Sequence, residues 1–126
     1  VVLNKVNSID ELIKPTRFKI AGVDPKYGKE GVQPYVNEAL NEIPNSYNPT
    51  ISSLTRLEGH SAGTGEHKMG EAVDFSDTKE ANNLFNWVIN TQEGQSWKRK
   101  YGVKILYHGD ADKSGNHYHF RFGDFN

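Results

Sequence analysis

The order of apolar and polar positions along the chain divides it into alternating short helices and strands. Ser8 to Ile13 has the makings of a short helix that stops before Pro15, and Arg17-Phe18-Lys19-Ile20-Ala21 alternates polar and apolar as a strand does. Glycine, proline and aspartate make residues 22 to 31 a loop. Val32, Val36, Ala39, Leu40 and Ile43 recur at helical spacing, with Pro34 tolerable only in the first turn. Thr50 to Leu57 reads as a strand, with Ile51, Ser53, Thr55 and Leu57 on one face. Glu58 to Gly70 is glycine-rich and has no hydrophobic period; loops of that length in a small domain carry function or stay unstructured. Ala72 to Phe75 is a short strand. Asp77, with Glu80 three residues on, predicts the N-cap of a helix bearing Ala81, Leu84, Phe85, Val88 and Ile89, which Gly94 should end. A basic segment with Trp97 and Tyr101 follows. Val103 to Tyr107 and His117 to Phe122 are strands on either side of a polar turn. Strands paired across tight turns beside separate helices predict an α+β domain on a small antiparallel sheet with helices packed on it.

At 126 residues the chain has room for one domain and for a core without staples. It has no apolar run near 18 residues, hence no predicted membrane insertion, and no recognisable signal peptide. A start at Val1-Val2 rather than Met points to a processed form or a domain excised from something longer. Fifteen Lys+Arg against 16 Asp+Glu give a net charge of −1, too balanced for a general nucleic-acid or anionic-membrane binder. Mean hydropathy is low, at −0.74, yet six Phe, six Tyr and two Trp exceed what a disordered chain carries. Trp87 and Trp97 read as packing residues, and Lys98-Arg99-Lys100 as a solvated helix end that favours the helix dipole. Cysteine is absent, so disulfides and thiolate metal sites are excluded. A metal would have to be held by nitrogen and oxygen.

Five histidines make that possibility concrete. Side chains two apart on a strand share a face, so His117 and His119 point one way and Tyr118 and Phe120 the other. Asp74 likewise shares a face with the small Ala72, while Val73 and Phe75 face the core. Gly70 lets the chain turn so that His67 can lie at the strand's start, near Asp74. Two imidazoles and one carboxylate, without sulfur, are the ligand set of a catalytic zinc site, which keeps three protein ligands and leaves a position for water. Strand parity does not choose between His117 and His119, nor does it settle which way Tyr107, on the neighbouring strand beside the site, faces.

His67-x-x-Gly70-x-Ala72-Val73-Asp74-Phe75, followed after a helix by His117-x-His119, resembles the zinc D-Ala-D-Ala carboxypeptidase family of murein peptidases (family M15), which shares its fold and metal site with the hedgehog signalling domain. The resemblance spans about residues 54–122. It implies a hedgehog/DD-peptidase-like fold, Zn2+ as cofactor, and His67, Asp74 and His119 as ligands. His117 would be the histidine that contacts substrate or the developing oxyanion, and Arg56 the arginine that meets the substrate carbonyl or carboxylate. The implied substrate is a peptidoglycan stem or cross-link peptide containing a D-amino acid. The implied setting is the periplasm, the cell wall or a phage virion, where such domains sit within larger proteins.

The chain also departs from that pattern. Gly65 stands where family members usually carry serine, and Glu71 where arginine is frequent. The catalytic acid commonly lies three residues before the last ligand; that position is Asn116, which cannot take a proton from water. Lys113, four before His117, does not supply the hedgehog-like placement either. Asp110 and Asp112 on the turn, Glu66, and His117 itself are the candidates for the base, with Asp112 foremost. His60 is expected to be solvated or to line substrate, and His108 to be structural. A zinc-binding module without turnover is the alternative reading, and Asn116 is the residue that favours it.

Overall fold

The structure, a computed structural model, describes residues 3–21, 31–55, 69–109 and 116–125. A single 3-10 turn covers Ile9–Glu11, capped by Ser8 Oγ accepting from the Asp10 amide. Among the described residues three helices follow, α1 at Pro34–Glu42, α2 at Lys79–Asn90 and α3 at Gln92–Tyr101. The described residues also hold four strands: β1 at Ile51–Ser53, β2 at Ala72–Ser76, β3 at Lys104–His108 and β4 at His117–Arg121. The strands form one antiparallel sheet in the order β1-β2-β4-β3. The architecture is therefore α+β. No described helix is long and apolar enough to cross a membrane.

One face of the sheet carries the aromatic core. Val73 and Phe75 on β2 and Tyr118 and Phe120 on β4 are all buried there, with Phe75 edge-on to Phe120 at 5.0 Å between ring centroids. Trp97 of α3 sits over Phe120 and Phe122 at 6.3 and 6.0 Å, and Phe85 of α2 stacks on Tyr118 at 5.3 Å. The Trp97 indole Nε1–H donates to the Ala39 carbonyl at 2.8 Å, which ties α1 to α3 inside the core. Trp87 is buried beside Trp97, so both tryptophans are core residues as the sequence indicated. Burial of this aromatic set is the main cohesive force, at roughly 25 cal/mol for each Å² of apolar surface removed from water.

Several elements differ from their sequence expectation, each for a local reason. The segment Arg17 to Ala21 makes a single parallel bridge, Ile20 to Ile51, rather than a strand. Its arginine is occupied elsewhere: the Arg17 guanidinium donates to the carbonyls of Leu40, Ile43, Pro44 and Tyr47 and so closes the C-terminal end of α1. The predicted strand from Thr50 is shortened to Ile51–Ser53, where Ile51 pairs with Phe75 and Ser53 with Asp74. Two β1 residues there advance against one on β2, a bulge that interrupts the ladder.

The N-cap of α2 is Thr78, whose Oγ1 accepts from the Ala81 amide at 3.1 Å. Asp77 instead accepts from the Tyr107 hydroxyl at 2.6 Å. Gly94 does not end a helix. Thr91 is at once the C-cap of α2 and the N-cap of α3, donating to the Trp87 carbonyl at 2.6 Å and accepting from the Gly94 amide at 2.9 Å. A Cβ on Gly94 would lie 2.6 Å from the Trp87 carbonyl carbon and from Val88 Cα, so this tight corner requires a bare Cα. The basic run Lys98-Arg99-Lys100 does fall in the last turn of α3.

Candidate metal centre

The register of the two central strands brings the sequence-predicted residues together. Asp74 on β2 lies directly opposite His119 on β4, and Ser76 opposite His117. Because neighbouring residues alternate between faces, Asp74, His117 and His119 occupy one face while Val73, Phe75, Tyr118 and Phe120 occupy the packed one. Tyr107 and Tyr118 are cross-strand partners with rings 5.0 Å apart, and they too sit on the packed side. They do not flank the histidines.

Asp74 is 2% exposed and His119 8%. His119 Nδ1 and Asp74 Oδ1 are 2.9 Å apart, a hydrogen-bonding distance between a carboxylate and a ring nitrogen. His117 Nε2 stands 3.8 Å from the second carboxylate oxygen, Oδ2, too far for a hydrogen bond but close enough to feel its charge. The carboxylate thus faces an imidazole at each oxygen, and the two contacts differ in kind. The two histidines that parity left equivalent are thereby separated: one engages Asp74, and the other stands beside it.

His108, expected to be structural, belongs to this face as well. It is the cross-strand partner of His117, and the two rings stack with centroids 4.8 Å apart and planes inclined by 27°. Its ring lies edge-on to that of His119 at 6.2 Å. A hairpin pairs the end of one strand with the start of the next, so His108 before the turn and His117 after it carried the signal. Reading the turn's two sides together would have found it.

The donor chemistry fits two of the three zinc ligands. Bonds of about 2.0–2.2 Å place two ligands of a tetrahedral zinc about 3.3 Å apart, a little more than the separation of Asp74 Oδ1 and His119 Nδ1. A metal and the shared proton would compete for the same pair of atoms. Among the described residues no group of three or more His, Cys, Asp or Glu is arranged to hold a metal ion. The third sequence-predicted ligand, His67, lies outside the described residues, as do Arg56, His60, Glu66, Asp110 and Asp112. Asn116 is described: its backbone carbonyl accepts from the Asp77 amide at 3.3 Å. Asp74 is the only acidic residue in β2, β3 and β4. Compared with known proteins, the chain matches no family model, no curated protein and no solved structure at a significant level.

Proposed function

We propose that the protein is a zinc-dependent murein peptidase of hedgehog/DD-peptidase-like fold, hydrolysing an amide bond that involves a D-amino acid in a peptidoglycan stem or cross-link. The observation that carries this reading is the convergence of a buried carboxylate and an imidazole nitrogen, 2.9 Å apart, from adjacent central strands on the face away from the core. Asp74 and His119, with His67 as the third, would hold the ion. Zinc in such a site supplies a Lewis acid that acidifies water and polarises a carbonyl. The protein's own groups do the rest. The rigid strand pair fixes Asp74 and His119, so little reorganisation is needed when charge develops. His117, which stands beside the carboxylate and stacks on His108, would donate to the oxyanion of the scissile carbonyl. Arg56 would meet the substrate carbonyl or carboxylate. Asp112, or His117, would take a proton from water and return it to the leaving amine, so that one carboxylate and one amine result. The working place of such a domain is the periplasm, the cell wall or a phage virion.

A second reading, a zinc-binding module without turnover, draws on the absence of any acid besides Asp74 in the three strands that carry the site, together with Asn116 at the position of the expected acid. Two measurements separate the readings. Metal analysis of the purified chain should find one zinc per protein. The zinc-loaded protein should then release new amino termini, or free D-alanine, from purified sacculi or defined muropeptides. Zinc without cleavage supports the module; no zinc uptake removes both.

A further inference from the structure

We propose that a cleft along the outer edge of β3 binds a small anionic amphiphile: an apolar chain ended by a carboxylate. The proposal is independent of the metal centre and uses none of its residues. β3 closes one end of the strand order, and no described strand pairs with its outer side. Ile105 lies opposite Phe120, on the face that carries the aromatic core. Phe85 and Trp97 sit over Tyr118 and Phe120 of β4, one strand in from that edge, and Ile105 is only partly buried. A cleft of about 380 Å³ opens there between Phe85 and Ile89 of α2 and Ile105 and Leu106 of β3. Its walls continue the core, yet Ile89 is 40% exposed and Leu106 53%. The hydrophobic pattern of the sequence assigns Ile89 to the buried face of α2; the helix presents it to this opening instead.

The rest of the cleft is cationic. Lys98 comes from the last turn of α3, Lys104 from β3 and Arg121 from β4, with no acidic residue among the described lining. Asp124 adjoins it, accepting from Arg121 Nη2 at 2.6 Å. Three cations against that one carboxylate leave the cleft positive, in a chain whose total charge is −1. Apolar walls with positive charge at their rim match a ligand divided in the same way. Asp124 also shows which head group this edge accepts, because guanidinium and carboxylate are complementary in charge and geometry. The walls take an apolar tail out of water, and the lysines reach a head group at the mouth on flexible stems. At about 30 Å³ per water the cleft has the volume of roughly a dozen waters, which suits a chain of about ten atoms with its head. An inorganic anion would leave the apolar walls wet, and a neutral lipid would gain nothing from the cations. A concave opening of this size takes up a single free molecule, not the plane of head groups that a bilayer presents.

The test titrates the full chain with decanoate by isothermal titration calorimetry. Decyltrimethylammonium serves as the cationic counterpart, and acetate as the head group without a tail. Decanoate should bind one-to-one and more weakly as sodium chloride is raised, with the other two probes at least about tenfold weaker. Lys98→Glu reverses one charge of the rim, and Ile89→Asp sets a carboxylate on the apolar wall at a position already 40% exposed. Far-ultraviolet circular dichroism and a cooperative melt check that each variant folds. Each should weaken decanoate at least about fivefold, whereas Lys100→Glu, a charge reversal on α3 outside the cleft, should leave it within about twofold. The proposal is overturned by no saturable decanoate binding up to about 5 mM, by equal affinity for the cationic probe, or by unchanged affinity in either folded cleft variant. An equal loss in Lys100→Glu overturns it too, because the response would then follow total charge. So does a chain that sediments with phosphatidylglycerol vesicles but ignores free decanoate, since a membrane surface would be the occupant.

Discussion

Replacing Asp74 by Asn isolates the contribution of a single carboxylate. The side chain is 2% exposed and holds His119 at 2.9 Å, so the substitution changes charge at nearly constant shape. In the metal-free protein the asparagine carbonyl can still accept from His119 Nδ1–H. A charge-assisted bond worth about 1.5–3 kcal/mol then becomes a neutral one worth about 0.5–1.5 kcal/mol. Relief from burying a carboxylate acts in the opposite direction. The net effect on the metal-free protein is a change of about 1 kcal/mol. With about 2.1 cal/mol/K of unfolding entropy per residue, 126 residues give roughly 0.26 kcal/mol/K. The metal-free melting temperature should therefore move by about 4 °C or less. Zinc at a hundredfold excess over its dissociation constant stabilises the native state by about 2.7 kcal/mol, or about 10 °C. The assay is a pair of thermal melts for each protein, one in chelator and one in zinc. The wild type should show the zinc shift and Asp74→Asn should lose it while melting normally in chelator. An Asp74→Asn protein that kept the full zinc shift would refute the assignment of this carboxylate as a ligand.

Two further outcomes follow from the packing. Gly94→Ala should destabilise by up to about 2 kcal/mol in urea unfolding, because overpacking against Trp87 and Val88 at about 1–3 kcal/mol opposes the roughly 1 kcal/mol gain in helix propensity; a stabilised variant would contradict the close-approach argument. Burial, reinforced by the bond to Glu71, pushes the Tyr35 phenol far above the usual tyrosine value, and burial with the nearby Asp77 charge raises Tyr118. The unfolded chain releases those protons near pH 10 while the folded one retains them, so stability is intact below about pH 10 and falls as pH rises further. Ultraviolet titration of the folded protein should show at least two of the six tyrosines lagging, and simultaneous release of all six near that pH would refute it.

The sheet was legible where alternation was strict. His117-Tyr118-His119-Phe120 states its two faces outright, and Val73-Asp74-Phe75 does the same for the neighbouring strand. What one segment's pattern does not encode is which segment it meets. The kinship of His108 with His117 depends on hairpin register, and the facing of Tyr107 depends on the same fact. Local competition hid the rest. Asp77 and Thr78 are both good caps, and the hydroxyl of Tyr107, 30 positions away, claims the aspartate. Gly94 carries the usual mark of a helix end, but its lack of a side chain serves the crossing of two consecutive helices.

The strict alternation in β4 couples chemistry to cohesion in a way that limits how the molecule can vary. Sliding β4 by one residue past β2 would swing His119 under the tryptophans and bring Phe120 to Asp74, stranding a polar ring and baring an apolar one in a single step. The core thus acts as a reading frame for the imidazoles. Single-residue insertions or deletions within β2 or β4 should be as harmful to a variant that needs only to stay folded as to one that must keep its site, whereas two-residue changes preserve the frame.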